Sequence, residues 1–221
     1  MSTSPIQAKK TIDSINQARF YAILDTGYVA PEKLVGKCRD LIAGGADLIQ
    51  LRAKRESRRQ RYAITESLIP IFESSRIPLV INDDVELAAA FPDLGLHIGQ
   101  DDTPPIIARE SLGPNRIIGL STHSLEQAKR AIDLGPMLSY FAVGPVYATP
   151  TKPEYQAVGT KLVHKVSNLK PPTPFFCIGG IKRQNVAQVI ESGAERIVAV
   201  SDVLNAQDTA GAVREFKRFF L

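Results

Sequence analysis

Two aspartates at the ends of neighbouring apolar runs are the residues whose type and spacing best suit chemistry. Asp83 follows an apolar run that ends at Asn82, and Asp102 follows a second run that ends at Ile98. Each run has the length and β-branched content of a buried parallel strand, and α/β proteins keep their functional groups at the C-terminal ends of such strands. Carboxylate oxygens at one such edge suit Mg²⁺, which usually takes one or two carboxylates and completes its coordination with substrate phosphates. The pair therefore predicts a magnesium site that serves a phosphorylated substrate.

A simpler interpretation stays open from these two residues alone. Asp and Asn are favoured N-cap residues, so both acids could merely cap the helices that follow the strands. Two strand ends in succession, each with several polar residues, favour the functional interpretation.

The elements that must position these residues alternate regularly along the chain. Short apolar runs predict strands, and the amphipathic stretches between them predict helices. The predicted strands cover residues 19–24, 47–51, 78–82, 94–98, 116–120, 140–143, 173–178 and 196–200. The predicted helices cover residues 31–43, 56–74, 85–90, 105–112, 124–133, 159–167, 183–192 and 208–220. Eight such pairs predict a single-domain (β/α)₈ barrel of the TIM type over residues 19–221, with a doubly wound open sheet as the alternative.

Composition limits the classes of partner. The chain has 221 residues, 44% of them hydrophobic, which suits one large core, and a net charge of only +4. Because the 27 basic residues are scattered, no nucleic-acid-binding stripe is expected. No apolar run approaches the length of a membrane span, so we expect no membrane partner. A homo-oligomer is left open.

The N-terminal residues and the cysteines bear on location. Residues 1–10 are polar and lack the apolar core of a secretory signal. We expect residues 1–18 to form a loosely ordered leader before the first strand. Whether this leader covers the site is open. Cys38 and Cys177 match no zinc or redox spacing and are expected to be buried thiols. Together these features predict a soluble, cytoplasmic protein.

Further polar clusters fall at the ends of other predicted strands. Gln50, Arg52 and Lys54 alternate with period two and would share one wall of a cleft, where the two cations could bind phosphate. A rim of solvated charges is the alternative for the two cations. Ser121 could donate to a phosphate oxygen, whereas His123 is as well explained by a structural hydrogen bond as by proton transfer.

Hydroxyls and glycines dominate the last strand ends. Thr149, Thr151 and Lys152 occupy a proline-stiffened loop that suits an anion better than an apolar partner. A solvated turn is the alternative, which explains the prolines but not the clustering of hydroxyls beside a cation. Gly179 and Gly180 end the seventh predicted strand, and Ser201 follows the eighth. The ends of strands seven and eight form a frequent phosphate site in (β/α)₈ barrels.

Taken together, these motifs resemble the thiamine phosphate synthase family. The resemblance runs in order from about Phe20 to Ser201 and is carried by seven motifs: Gln50-x-Arg52-x-Lys54, Asn82-Asp83, His97-x-Gly99-Gln100-x-Asp102, Gly119-x-Ser121-Thr122-His123, Thr149-x-Thr151-Lys152, Gly179-Gly180-Ile181 and Val200-Ser201. It implies a (β/α)₈ barrel that joins hydroxymethylpyrimidine diphosphate to a thiazole phosphate, giving thiamine phosphate and pyrophosphate in a Mg²⁺-assisted dissociative substitution.

The resemblance also implies roles for individual residues. Asp83 and Asp102 would hold Mg²⁺, and Gln50 would face the pyrimidine. The diphosphate would be held by Arg52, Lys54, Asn82, Ser121 and Lys152, of which Arg52, Lys54, Ser121 and Lys152 would assist catalysis. The thiazole phosphate would be held by Thr149, Thr151, Gly179, Gly180, Val200 and Ser201.

Three residues depart from the common pattern of the family, and two other functions stay open. Asp84 stands where many relatives have Arg or a bulky residue, Ala53 replaces an acid, and Asp101 stands where Glu is common. A thiazole tautomerase of the same barrel type would use a histidine in a context like Ser121-Thr122-His123, but it has no use for a Mg²⁺-bound diphosphate. A non-catalytic protein that binds thiamine precursors is the third interpretation.

Overall fold

Eight parallel strands surround the centre of the molecule in the computed structural model, which describes residues 14–151 and 155–221. They are β1 (Phe20–Asp25), β2 (Leu48–Arg52), β3 (Leu79–Asn82), β4 (Gly95–Ile98), β5 (Ile118–Thr122), β6 (Tyr140–Val143), β7 (Phe175–Cys177) and β8 (Ile197–Ala199). Each strand pairs with the next in chain order, and β8 pairs with β1 to close the barrel. The (β/α)₈ prediction is therefore confirmed, and the open sheet is excluded.

Helices follow the strands and cover the outside of the barrel. They are α1 (Leu34–Gly44), α2 (Arg58–Ser75), α3 (Val85–Ala90), α4 (Pro105–Leu112), α5 (Leu125–Asp133), α6 (Gly159–Asn168), α7 (Val186–Glu191), α8 (Ser201–Leu204) and α9 (Thr209–Lys217). The predicted last helix was too long, because α9 ends at Lys217 and a 3₁₀ turn follows it. The short helix α8 was not predicted, since four residues are too few to show a helical period.

Alternation along each strand sorts side chains between two cores. In β1, Tyr21 and Ile23 point into the barrel, whereas Phe20, Ala22 and Leu24 pack against the helices. The interior cluster also contains Leu48, Val80, Ile117, Tyr140, Phe176 and Val198. Because the period of a strand is two, the next inward positions along each strand reach the mouth of the barrel at its C-terminal end.

The chain before β1 contributes to the interior cluster. Ile15 and Ala18 are buried there, with exposed fractions of 1% and 2%. Residues 1–13 of the predicted leader lie outside the described residues, so the division at residue 18 stays a prediction.

Two smaller expectations concern the cysteines and membrane spans. Cys38 and Cys177 are buried free thiols, as predicted, and burial raises the pKa of Cys38 to about 12. In the described part of the chain, no helix has both the length and the apolar character needed to cross a membrane.

Candidate active site

A cavity opens at the C-terminal mouth of the barrel, and most of the predicted site residues line it. We call it the mouth cavity. Its lining includes Gln50, Arg52, Asn82, Ser121, Thr149, Thr151, Gly179, Gly180, Val200 and Ser201, together with His97 and His123. Lys54 and Asp83 line an adjoining cavity with Asn82. Lys152 lies outside the described residues.

The two aspartates meet at one side of this mouth. The carboxyl groups of Asp83 and Asp102 lie within hydrogen-bonding reach of each other, although one residue follows β3 and the other follows β4. Desolvation raises the pKa of Asp102, the neighbouring Asp83 raises it further, and the backbone N–H of Gly99 and Lys54 oppose this shift. Two carboxylates that repel each other in this way form a site that a divalent cation would stabilise.

Local contacts orient Asp83 toward that meeting point. Asp83 has a left-handed φ of 63°, which turns the chain sharply after β3. Its Oδ2 accepts from Asn82 Nδ2 at 2.6 Å and pairs with Lys54 Nζ at 2.9 Å. Across residues 14–151 and 155–221, no group of three or more His, Cys, Asp or Glu side chains could hold a metal. Any ion here would therefore draw further ligands from water or substrate.

Asp84 has a structural role that answers the question raised by its unusual identity. Its Oδ1 accepts from the backbone N–H of Leu87 and caps α3, and its Oδ2 pairs with Arg61 Nε at 3.0 Å. The side chain that follows Asp83 thus turns away from the Asp83–Asp102 pair. Helix capping, the alternative role for Asp83 and Asp102, is therefore the role of Asp84.

Asp25 is a functional candidate that sequence reasoning missed. It ends β1, is 2% exposed, and pairs with Arg52 Nη1 at 2.7 Å while accepting from the N–H of Gly27 at 2.8 Å. The Nε of Arg52 is buried without a hydrogen-bond partner among the described residues. The rule that strand ends carry chemistry would have found Asp25 had it been applied to the first strand.

Glycines shape the opposite side of the mouth. Gly179 and Gly180 have φ values of 100° and 62°, which L side chains rarely adopt. A Cβ on Gly179 would collide with Pro145, and one on Gly180 would crowd the backbone of Ala148. The loop after β6 therefore packs directly on the β7 end, and backbone groups rather than side chains form this wall.

Side-chain contacts hold the loop after β6 against the rest of the mouth. Thr151 Oγ1 lies 3.0 Å from the hydroxyl of Tyr28, and the ring of Tyr155 stacks on His123 at a centroid distance of 4.2 Å. His123 also bonds through Nδ1 to the carbonyl oxygen of Gly144 at 2.6 Å. These contacts support the structural interpretation of His123 and give it a part in holding this loop.

His97 is a second residue to which the sequence assigned no role. It lies 7% exposed on β4, with Nδ1 3.0 Å from the hydroxyl of Tyr140 and Nε2 2.9 Å from Ser121 Oγ. The histidine thus joins a site residue to the barrel interior.

Comparisons with known proteins agree with this geometry. The family model described as "Thiamine monophosphate synthase" matches residues 20–203. The chain is 37% identical over 199 residues to a thiamine-phosphate synthase of Halalkalibacterium halodurans, covering 90% of this chain and 93% of that protein. It is 39% identical over 203 residues to one of Herpetosiphon aurantiacus, covering 90% and 94%.

Solved structures show the same relationship. A thiamine phosphate pyrophosphorylase from Pyrococcus furiosus superposes with a TM-score of 0.82 at 30% identity, over 93% of this chain and 96% of that one. The family resemblance drawn from the seven motifs is confirmed. The chain belongs to the thiamine monophosphate synthase family and is a transferase.

Proposed function

We propose that this protein is a thiamine phosphate synthase that joins hydroxymethylpyrimidine diphosphate to a thiazole phosphate, releasing pyrophosphate. The observation that carries the proposal is the meeting of Asp83 and Asp102 beside Lys54 at the barrel mouth. Converging charge of this kind is costly unless it serves a charged ligand. Family membership and the motif order support the same reaction.

Magnesium fits the residues present. Asp83 and Asp102 would hold Mg²⁺, whose charge, when bound, would offset that of the diphosphate. Desolvation raises the pKa of Asp102 and the adjacent Asp83 raises it further, and a divalent cation would offset the negative charge that makes the pair unfavourable.

The charged and polar residues around Asp83 and Asp102 then bind and orient the leaving group. Arg52 keeps N–H donors beyond its bond to Asp25 and can offer them to a diphosphate oxygen. Lys54, Asn82 and Ser121 add a mobile cation, an amide and a hydroxyl, and we assign Lys152 to the same role. Gln50 faces the pyrimidine.

The opposite side holds the second substrate. The assigned residues are Thr149, Thr151, Gly179, Gly180, Val200 and Ser201. Glycine lets the backbone approach a ligand closely, and together with the hydroxyls of Thr149, Thr151 and Ser201 this suits a phosphate monoester.

Such a site supports a dissociative substitution. The bond between the pyrimidine methylene carbon and the diphosphate oxygen breaks, and its electron pair leaves with pyrophosphate. The lone pair of the thiazole nitrogen then forms the new carbon–nitrogen bond to the pyrimidine-stabilised cation. This reaction needs charge neutralisation and alignment of two reactants rather than a strong base or a nucleophilic side chain.

The test is to incubate the purified protein with both phosphorylated precursors and Mg²⁺ and to detect thiamine phosphate by mass. Product should require both precursors and should be lost on chelation of Mg²⁺. A tautomerase would instead convert the thiazole phosphate alone, and a non-catalytic binder would show neither product. A cytoplasmic location and the absence of nucleic-acid partners stay predictions, and a homo-oligomer stays open.

A further inference from the structure

A chain of hydrogen bonds runs along the inner end of the mouth cavity and joins two of its walls. Gln50 Nε2 donates to the hydroxyl of Tyr21, which lies 2.9 Å from the hydroxyl of Tyr140. Tyr140 in turn lies 3.0 Å from His97 Nδ1, and His97 Nε2 lies 2.9 Å from Ser121 Oγ. We call these five residues the buried relay. Its two ends, Gln50 and Ser121, line the cavity together with Tyr21 and His97, and of the five residues Tyr140 alone does not.

Five different strands supply the relay, so only the closed barrel assembles it. All five side chains are buried, with exposed fractions no greater than 7%. The ring of Tyr140 fits because Gly119 on the neighbouring strand has no side chain, and a Cβ there would collide with that ring. The Gly119-x-Ser121 spacing thereby gains a reason, since one residue makes room for the relay and the other ends it.

The chemistry of the groups makes the relay directional. Each tyrosine hydroxyl has one proton to donate, and a neutral imidazole has one donor nitrogen and one acceptor nitrogen. Once the proton of one link is placed, the others follow in the same direction along the whole chain. Burial raises the pKa of both Tyr21 and Tyr140, which keeps their protons in place.

Only one of the two directions suits an anionic ligand. When Gln50 donates to Tyr21, the protons of Tyr21 and Tyr140 point toward His97 Nδ1, and His97 Nε2–H donates to Ser121. The hydroxyl proton of Ser121 is then available to the cavity. In the reverse direction His97 would take that proton, and the oxygen lone pairs of Ser121 would face the diphosphate.

We propose that Tyr21, Tyr140 and His97 are positioning residues that make Ser121 a hydrogen-bond donor and the Gln50 amide oxygen an acceptor. The inference rests on the proposed function and deepens it. It assigns Ser121 to an oxygen of the departing diphosphate and the Gln50 oxygen to an N–H donor such as an amino group on the pyrimidine. The relay fixes the hydrogen-bonding roles of Gln50 and Ser121 together. Binding of the pyrimidine is therefore linked to binding of the diphosphate leaving group.

The first test reads the tautomer of His97 in the ligand-free protein. The chain has three histidines, and long-range ¹H–¹⁵N spectra resolve which ring nitrogen carries a proton. His123→Asn and His164→Gln variants assign the signals by elimination. A proton on Nε2 alone supports the proposal, and a proton on Nδ1 overturns it.

Gln50→Glu provides a sharper test, because an ionised carboxylate can only accept. Tyr21 must then donate to residue 50, and the direction of every link reverses. We expect the His97 proton to move from Nε2 to Nδ1, three hydrogen bonds from the substitution. An unchanged tautomer in this variant contradicts a directional relay, whereas a merely structural role for these residues predicts no change at all.

Kinetics test whether the relay serves catalysis. Tyr140→Phe should lower kcat/KM by about tenfold to a hundredfold, since it removes the hydroxyl that joins Tyr21 to His97 and so orients Ser121. In a Ser121→Ala background the same change should cost less than about twofold, because effects within one unit are not additive. Fully additive losses would refute the link to Ser121.

Two controls separate this proposal from its foundation. Tyr62→Phe removes a hydroxyl from α2, away from the relay, and should leave kcat/KM unchanged. If wild-type protein forms no thiamine phosphate, the proposed function fails. The His97 tautomer is measured without substrate, so it tests the relay even then.

Discussion

The two halves of the barrel mouth are built from different chemistry. The ends of β1 to β4 carry charged side chains that pair with one another, as in Arg52–Asp25 at 2.7 Å and Lys54–Asp83 at 2.9 Å. The ends of β7 and β8 instead carry Gly179, Gly180 and Ser201, where backbone approaches backbone. We call these the charged half and the glycine half.

The difference determines how each half responds to change. In the charged half, loss of one side chain leaves a partner without its counter-charge. In the glycine half, gain of a side chain creates a collision.

Asp83→Asn should give the largest effect. It removes one of two carboxylates proposed to hold Mg²⁺, so kcat/KM should fall about a thousandfold, or about 4 kcal/mol in transition-state free energy. Steady-state assays at saturating Mg²⁺ measure this loss. Asp84→Asn is the matched control, because it keeps a side chain able to cap α3 and lies outside the carboxylate pair; its activity should stay within a few-fold of wild type. Comparable losses in both variants would refute the assignment.

Asp25→Asn should mainly reduce stability. The change leaves the largely buried Arg52 guanidinium without its counter-charge, which should cost about 3 kcal/mol in the free energy of unfolding. Denaturant titration measures the cost. Arg19→Gln breaks the exposed pair with Glu195 and should cost less than about 1 kcal/mol. An equally small cost at Asp25 would show that the pairing in the charged half matters little.

Gly180→Ala tests the glycine half. Its left-handed φ and the close backbone of Ala148 should together cost about 2 kcal/mol in the free energy of unfolding, and the KM for the thiazole phosphate should rise. Gly36→Ala is the control, because a Cβ there meets no atom within 4 Å in α1 and should stabilise the protein by about 0.5–1 kcal/mol. A rise confined to the KM for the pyrimidine diphosphate would contradict the division of the mouth into two halves.

Asp102→Asn should produce the smallest effect on stability, and it should stabilise the protein, whereas Asp25→Asn and Gly180→Ala destabilise it. Desolvation and Asp83 raise the pKa of Asp102 in the folded protein, so its charge is less favourable there than in the unfolded chain. Removing that charge should raise the melting temperature of the metal-free protein at neutral pH while lowering activity.

The pH dependence checks the sign of this effect. Because the folded form holds the Asp102 proton more tightly, wild type should gain on the variant as pH falls into the range where Asp102 is protonated. Thermal melts of both proteins between pH 7 and about pH 4 should therefore converge. A gap that widens on acidification would contradict the repulsion.

Much of the fold and part of the site could be predicted from local pattern. Alternation between apolar runs and amphipathic stretches predicted all eight strands to within two residues at each end. Period-two spacing placed Gln50 and Arg52 together on the inner wall, because side chains of a strand alternate whatever its neighbours are. Lys54, the third residue of that prediction, follows the end of β2 and lines the adjoining cavity. Helix α8 escaped prediction because it is too short for a period to appear.

Contacts between distant strands could not be predicted in this way. The strand-end rule could have selected Asp25, but only the pairing of β1 with β2 shows that its partner is Arg52. Asp84 directly follows Asp83 in the sequence, yet its carboxylate pairs with Arg61 after the turn at Asp83. Such outcomes depend on the register of strands and on backbone direction at single residues.

The sequence by itself determined which residues face inward and which side chains end each strand, because both follow from the two-residue repeat of an extended chain. Only the tertiary structure decided which of those ends meet. Pairing in chain order brings β4, β5 and β6 side by side and joins His97, Ser121 and Tyr140, and closure of the barrel brings Tyr21 of β1 within reach of Tyr140. The physical reason is that partner choice depends on the stagger of all eight strands together, which no local stretch of sequence contains.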